Sequence, residues 1–568
     1  MKFKTFLTQI LFLVFYSAFA NNGRYRLILV DDPSTTITIA WDQSSGTSPV
    51  VYYGTLDEGT NYLNYPNSKT VDRVVVDKDM DNTFARLTGL SANTNYYFVI
   101  NDSEGTSQRF WFRTAPNDNS RLSIIAGGDS RNFRTPRRAA NLLVSKLKPH
   151  AVLFAGDMTD NSTDLEWKKW FDDWQDTIAS DGRMFPIIPA RGNHENATDI
   201  YDLFDTPNTN SYYALTFGNS LFRAYTLNSE ISVFGNQLTW LQNDLSASSG
   251  VIWKMAQYHK PIRPHTAWKA ENNNQYDAWA QLFYDEGVRL VVDCDSHVAR
   301  TTWPLKPSSE LGNDEGFVVE QTNGTVYTGE GCWGAPLRPN DDDKSWTRNS
   351  GSFNQFKLLF VEPSKIELRT IKVDNAMDVG EVSNTDPFTL PSMLDVFSPP
   401  TGAVVTISNT TDIACPIVYA PCDDENLDTV LDEYDGSCNC EGFNSYENSL
   451  FTTQVLTSSD DAEEDIASTF VNTSSSDLEL IDDNGDQLVG IRFDNIDISE
   501  SATVLRAYIQ FSVDEVIIVS NVPAPQPTTN LVIQGELSPD SNTFSNSNKI
   551  STRTLTTNST SWDDIGDW

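Results

Sequence analysis

Between residues 21 and 116 apolar and polar positions alternate in short runs. Thr36-Ile37-Thr38-Ile39-Ala40-Trp41 alternates, Val50-Val51-Tyr52-Tyr53 stops at Gly54, and Tyr96-Tyr97-Phe98-Val99-Ile100 and Phe110-Trp111-Phe112 follow. A period of two broken by turn residues predicts strands, and a series of short strands predicts a β-sandwich. Ala115-Pro116-Asn117-Asp118-Asn119-Ser120 then reads as a linker. From Leu122 the rhythm changes. Apolar runs at 122–126, 151–155, 184–189, 251–257 and 288–293 predict buried strands. Between them Trp167, Trp170, Phe171 and Trp174, then Leu238, Leu241 and Leu245, then Trp279, Leu282 and Phe283, recur at helical spacing. Strands alternating with helices predict an α/β domain, with these aromatics as core. Runs at 356–361 and 366–371 predict a hairpin that closes it.

The stretch 385–415 is rich in Pro, Ser and Thr and reads as a linker into a cysteine-rich insert. Beyond Thr452, Leu488-Val489-Gly490-Ile491-Arg492-Phe493 and Ala507-Tyr508-Ile509-Gln510-Phe511 alternate again, which suggests a jelly-roll-like accessory module. The expected layout is therefore multidomain: a β-sandwich over 21–116, an α/β domain over 120–375, a linker and cysteine-rich segment over 376–450, and a β-rich module over 451–568. The chain stops soon after Ser561-Trp562, so an incomplete last module is an open alternative.

Length agrees, since 568 residues exceed the roughly 100–200 typical of one domain. Lys2 and Lys4 precede an apolar run from Phe6 to Phe19 that ends in Ala18-Phe19-Ala20. A charged head, a short apolar core and a small-x-small site predict a signal peptide over 1–20, cut after Ala20, and hence a secreted protein, extracellular or periplasmic. No stretch approaches the roughly 18 apolar residues of a membrane span. The formal charge of -38 argues against nucleic acid or an anionic membrane as partner. Cys415, Cys422, Cys438 and Cys440 lie close in sequence. In a secreted chain they read as two local disulfides of open pairing, with a zinc knuckle as the alternative. Cys294 and Cys332 are candidates for a further disulfide.

Each α/β strand runs into a polar cluster at its C-terminal end, where open α/β sheets place ligands. In order these are Gly128-Asp129, Gly156-Asp157, Gly192-Asn193-His194-Glu195, His259, and Asp295 with His297. Carboxylate, amide oxygen and imidazole suit cations such as Zn, Mn or Fe. Two such ions about 3.5–4 Å apart can clamp a phosphoryl group and activate water. Holding like charges so close needs a bridging carboxylate, for which Asp157 is the candidate.

These motifs resemble the calcineurin-like metallophosphoesterases, and among them the purple acid phosphatases. Leu87-Thr88-Gly89-Leu90 with Thr94-Asn95-Tyr96-Tyr97 resembles the fibronectin type III pattern of that group's N-terminal domain. The resemblance implies a central β-sheet sandwich flanked by helices and two metal ions, Fe, Zn or Mn. Asp129, Asp157 and His297 would hold the first ion, and Asp157, Asn193 and His259 the second. His194 would protonate the leaving oxygen, oriented by Glu195. Two positions depart from the pattern: the family's ligating Tyr falls on Asp160, which removes the phenolate behind the purple colour, and the first His of its Gly-His-x-His falls on Asp295. Both carboxylates remain candidate ligands.

Arg131 and Arg134 follow the first Gly-Asp and could pair with a phosphate oxygen or form surface ion pairs. His265, six residues beyond His259, is a candidate contact to substrate, and His150 reads as a capping or surface residue. The function expected is hydrolysis of a phosphomonoester or phosphodiester by a metal-activated hydroxide. The rival reading is a catalytically decayed phosphoesterase fold serving adhesion, with an extracellular polysaccharide as partner.

Overall fold

The computed structural model describes residues 21–271, 273–409, 429–434, 440–444, 453–455, 457–474, 486–494, 496, 498, 509, 529–538 and 540–565. The predicted signal segment, Cys415, Cys422, Cys438 and the predicted strand 507–511 lie outside this set, apart from the single residue 509. Two compact units divide the chain, residues 1–446 and 447–568.

In the first unit the five predicted α/β strands form at Leu122–Gly127, Ala151–Phe154, Pro186–Pro189, Trp253–Gln257 and Val288–Asp293. They divide between two sheets. The first three run parallel, and the hairpin Gln355–Val361 and Lys365–Lys372 extends them antiparallel. The other two run parallel in a seven-stranded sheet with Phe222–Thr226 and Val326–Gly329. The sheets stack through Ile124, Leu153, Ile188, Met255, Leu290 and Val292, all buried. Helices cover the outer faces. Trp167, Trp170, Phe171 and Trp174 of Asp164–Trp174 bury against Phe154 and Ile187. Leu241 and Trp279 pack on Ala256 and Val291 of the other sheet. Thr163 and Glu166 cap helix Asp164–Trp174 reciprocally, which fixes its start.

The N-terminal β-domain is no separate bead. Strand Asn22–Ile28 lies parallel to Pro186–Pro189, pairing Leu27 with Pro186 and Ile28 with Ile187. One ten-stranded sheet therefore continues from the α/β domain through Ile37–Gln43, Met80–Leu87 and Arg73–Asp77. At its other edge Val405–Ser408, inside the stretch read as a linker, pairs with Lys365–Lys372. Burying both sheet faces makes this union possible, because the strands carry apolar residues on both sides.

The second unit is β-rich in its described residues: Asp461–Asp465 pairs with Val471–Asn472 and Gln487–Ile491, and Thr529–Glu536 pairs with Leu555–Ile565. Among the described residues no helix is long and apolar enough to cross a membrane.

Candidate metal centre

The polar clusters at the strand ends meet in one place. Asp129, Asp157 and His297 bring their ligand atoms within 4.8 Å of one another, as do Asp157, His259 and Asp295; Asp157 belongs to both groups. All five residues are buried. Asn193 Oδ1 stands 3.1 Å from His259 Nε2 and so joins the second group.

The loops reach this geometry by unusual backbone. Asp129, Asp157, Asp295 and His297 all have positive φ, between 54° and 71°. Non-glycine residues seldom adopt it, and such strain gathers where structure serves a site. Gly192 is required beside them, since a Cβ there would stand 2.3 Å from Asp157 Oδ1.

Three imidazoles follow one rule. His259 Nδ1 lies 2.9 Å from the Ala155 carbonyl, His297 Nδ1 lies 2.7 Å from that of Pro336, and His194 Nδ1 lies 2.5 Å from that of Asp160. A carbonyl only accepts, so each Nδ1 carries a proton that it donates. In the neutral ring Nε2 is then left with its lone pair facing the carboxylates. His259 Nε2 is 3.2 Å from Asp157 Oδ1 and 3.7 Å from Asp295 Oδ1, and His297 Nε2 is 3.4 Å from Asp129 Oδ1. Burial pushes the Asp129 carboxyl up, yet the His297 and His259 imidazoles hold it below the usual carboxylate range. Burial likewise opposes charge on His259, and the surrounding aspartates nevertheless push it well above its ordinary value.

The buried atoms Asp129 Oδ1 and Asp157 Oδ2 have no hydrogen-bond partner. A carboxylate oxygen buried without a partner is costly, and a cation is the group that would satisfy both. Oxygen and imidazole donors around them fit a hard or borderline metal ion.

Several expected roles change. The Glu195 carboxylate does not orient His194. It accepts N–H bonds from Asp157 at 3.1 Å, Met158 at 2.7 Å and Gly192 at 2.7 Å, tying the loops that carry Asp157 and Asn193 together. Asp160 turns its carboxylate to Arg131 Nη1 at 2.5 Å, and its carbonyl takes the orienting role. His265 is fully buried between Glu330 Oε1 at 2.9 Å and Thr347 Oγ1 at 2.7 Å, out of reach of a substrate. Arg134 pairs with Asp173 at 2.6 Å beside Arg137, so it is committed to the helices. Arg131 does reach the cluster, with Nε 3.4 Å from Asp157 Oδ2 and Nη2 3.5 Å from His297 Nε2. Cys294 and Cys332 are free buried thiols, not a disulfide. Cys294 instead falls with Asp129 and His259 in a third candidate group. His150, expected as a cap or surface residue, accepts the Ser123 N–H at 3.0 Å and stacks on Phe388.

Sequence reasoning passed over Lys269 and Arg338. Lys269 Nζ is ion-paired with Asp295 Oδ2. Arg338 Nη1 donates to the Asp295 carbonyl while its guanidinium lies 5.0 Å over the exposed ring of Trp268. Neither sits in a recognisable motif, and no local pattern pointed to them.

Residues 24–114 match the model of the purple acid phosphatase N-terminal domain, and residues 122–298 match that of the calcineurin-like phosphoesterases. Residues 122–298 thus form a calcineurin-like phosphoesterase domain beside a purple acid phosphatase-like N-terminal domain. The chain superposes on purple acid phosphatase PPD1 from yellow lupin seeds with a TM-score of 0.52. The identity is 15%, covering 68% of this chain and 74% of that one. An uncharacterized protein of Mycobacterium tuberculosis is 23% identical over 367 residues, or 54% of this chain and 68% of the relative. A probable glycerophosphodiester phosphodiesterase of Arcobacter nitrofigilis is 28% identical over 127 residues, 21% of this chain and 44% of that protein.

Proposed function

We propose that this calcineurin-like phosphoesterase hydrolyses phosphate esters with a pair of metal ions, one held by Asp129, Asp157 and His297, the other by Asp157, Asn193, His259 and Asp295. The pair of buried oxygens on Asp129 and Asp157 carries the reading, because neither has a hydrogen-bond partner and both lie among the candidate metal ligands. When bound, such ions supply Lewis-acid activation of water and offset charge on the phosphoryl oxygens.

The chain's own residues do the rest. Arg131, with Lys269 and Arg338 nearby, offers cations to the phosphoryl group from one side of the cluster. His194 is a quarter exposed, with Nδ1 fixed by the Asp160 carbonyl and Nε2 3.7 Å from Asp157 Oδ2. It can hold a proton at Nε2 and release it to the leaving oxygen, the task of a general acid. Secretion rests on Lys2, Lys4 and the apolar run that ends at Ala20.

The test is hydrolysis of a chromogenic phosphomonoester and a diester by chelator-stripped protein, before and after adding Zn, Mn or Fe. Turnover that returns with metal supports the reading; equal turnover by stripped and loaded protein sinks it.

A further inference from the structure

We propose that Lys269 is a positioning residue that makes the two metal sites unequal, holding the affinity of the Asp157–His259–Asp295 site below that of its neighbour. The proposal rests on the two-ion reading above. The Asp295 carboxylate is divided between two tasks: Oδ1 faces His259 Nε2 at 3.7 Å, and Oδ2 is ion-paired with the Lys269 ammonium. Both side chains are shielded, Lys269 at 12% exposure and Asp295 at 7%, so solvent screens little of that charge. Asp129 and Asp157 each keep a buried oxygen with no hydrogen-bond partner, whereas Asp295 does not.

The Arg338 guanidinium bonds the Asp295 carbonyl, and the situation of Arg131, the remaining cation named at the cluster, differs. Its guanidinium lies 2.5 Å from Asp160, a carboxylate outside the ligand groups, and reaches a ligand only at 3.4 Å, on Asp157, which the two groups share. Lys269 is offset by a ligand itself. An ion arriving at Asp157, Asn193, His259 and Asp295 must therefore share a carboxylate with an ammonium already on it. One arriving at Asp129, Asp157 and His297 meets no ammonium on a carboxylate of that site alone, since Arg131 approaches only the shared Asp157, at 3.4 Å, and the His297 ring, at 3.5 Å. Two cations on one buried carboxylate repel each other strongly at low dielectric, and partners behind a ligand tune its donor strength. The sequence motif shows only that Asp295 is acidic; the ammonium that counters it lies 26 positions earlier.

The experiment is a calorimetric titration of chelator-stripped full chain with Mn2+ and with Zn2+, stoichiometry being checked by elemental analysis. The wild-type chain should bind one tight and one weaker equivalent. Lys269→Met and Lys269→Gln should tighten the second equivalent at least tenfold and leave the first within threefold, whereas Lys269→Arg should titrate like wild type. Two equally tight wild-type equivalents overturn the assignment alone. So does a second equivalent that is unchanged or weaker in the neutral variants. A wild-type chain that takes up no ion at all overturns the phosphoesterase reading as well.

Discussion

Gly331 lies against Asp129 so closely that a Cβ on it would stand 1.8 Å from Asp129 Oδ2, at a backbone φ of +100°. The loop after strand Val326–Gly329 thus leaves just enough room for a carboxylate that faces the metal cluster. Gly331→Ala should destabilise the chain by on the order of 2–4 kcal/mol, from overpacking and left-handed strain together. It should also weaken metal binding at the Asp129 site. Denaturant unfolding and metal titration check the two effects, and a variant normal in both refutes this account of the loop.

Asp157 belongs to both candidate groups, so its loss should affect both ions at once. Asp157→Asn should lower kcat/KM at least about a thousandfold and abolish uptake of two equivalents, because among the described residues Asp157 is the one shared by the Asp129–His297 and His259–Asp295 groups. Retention of one tight equivalent would confine Asp157 to a single site.

His194 and Glu195 are neighbours with separable duties. His194→Ala should lower kcat by about a hundredfold to ten-thousandfold while metal content stays intact, as removal of a proton donor does. Glu195→Ala strands buried N–H groups of Asp157, Met158 and Gly192, at about 1–3 kcal/mol each, so it should lose stability and metal together. Metal analysis beside kinetics separates the cases; metal loss in the His194 variant would make that histidine a ligand.

His265 sits in a buried chain of charge with Glu330, Arg300 and Asp293, where Arg300 Nε lies 2.8 Å from Glu330 and its Nη2 2.9 Å from Asp293. Burial opposes charge on Glu330, yet the Arg300 guanidinium and His265 hold its carboxyl down to about 2. The Glu330 carbonyl in turn accepts the His297 N–H at 2.7 Å. His265→Ala should therefore cost about 1–3 kcal/mol of stability with KM unchanged. A raised KM with unchanged stability would restore the substrate contact expected from sequence.

His150 gives the chain a pH dependence away from the candidate metal centre. Burial, helped by the Arg183 charge, lowers it from 6.5 to about 4. The folded chain binds fewer protons there than the unfolded one, so this stabilisation is complete above pH 6.5 and fades as pH falls toward 4. His150→Gln should flatten the stability profile across that window, by on the order of 2–3 kcal/mol between its ends. A profile as steep as wild type assigns the slope elsewhere.

The candidate ligands could be picked out because each follows a buried strand directly: a run such as 288–293 announces both the strand and the loop where a polar side chain emerges. Asp160 and Glu195 were misread for the opposite reason. Their motif fixes position, but the direction of a carboxylate depends on which donor competes for it. Arg131 captures Asp160, and three backbone amides capture Glu195. Likewise nothing in Cys294 and Cys332 distinguishes a disulfide from two separate thiols until the loops are placed.

By itself the sequence determined the order of strands and helices and the five polar strand ends, since hydrophobic period and turn chemistry are local properties of the chain. Only the tertiary structure decided that Asn22–Ile28 pairs with Pro186–Pro189 to carry one sheet through two domains, and that Lys269 meets Asp295. Those contacts join segments whose residues carry no mark of each other. Sheet pairing and charge pairing at long range are chosen by what packing leaves within reach.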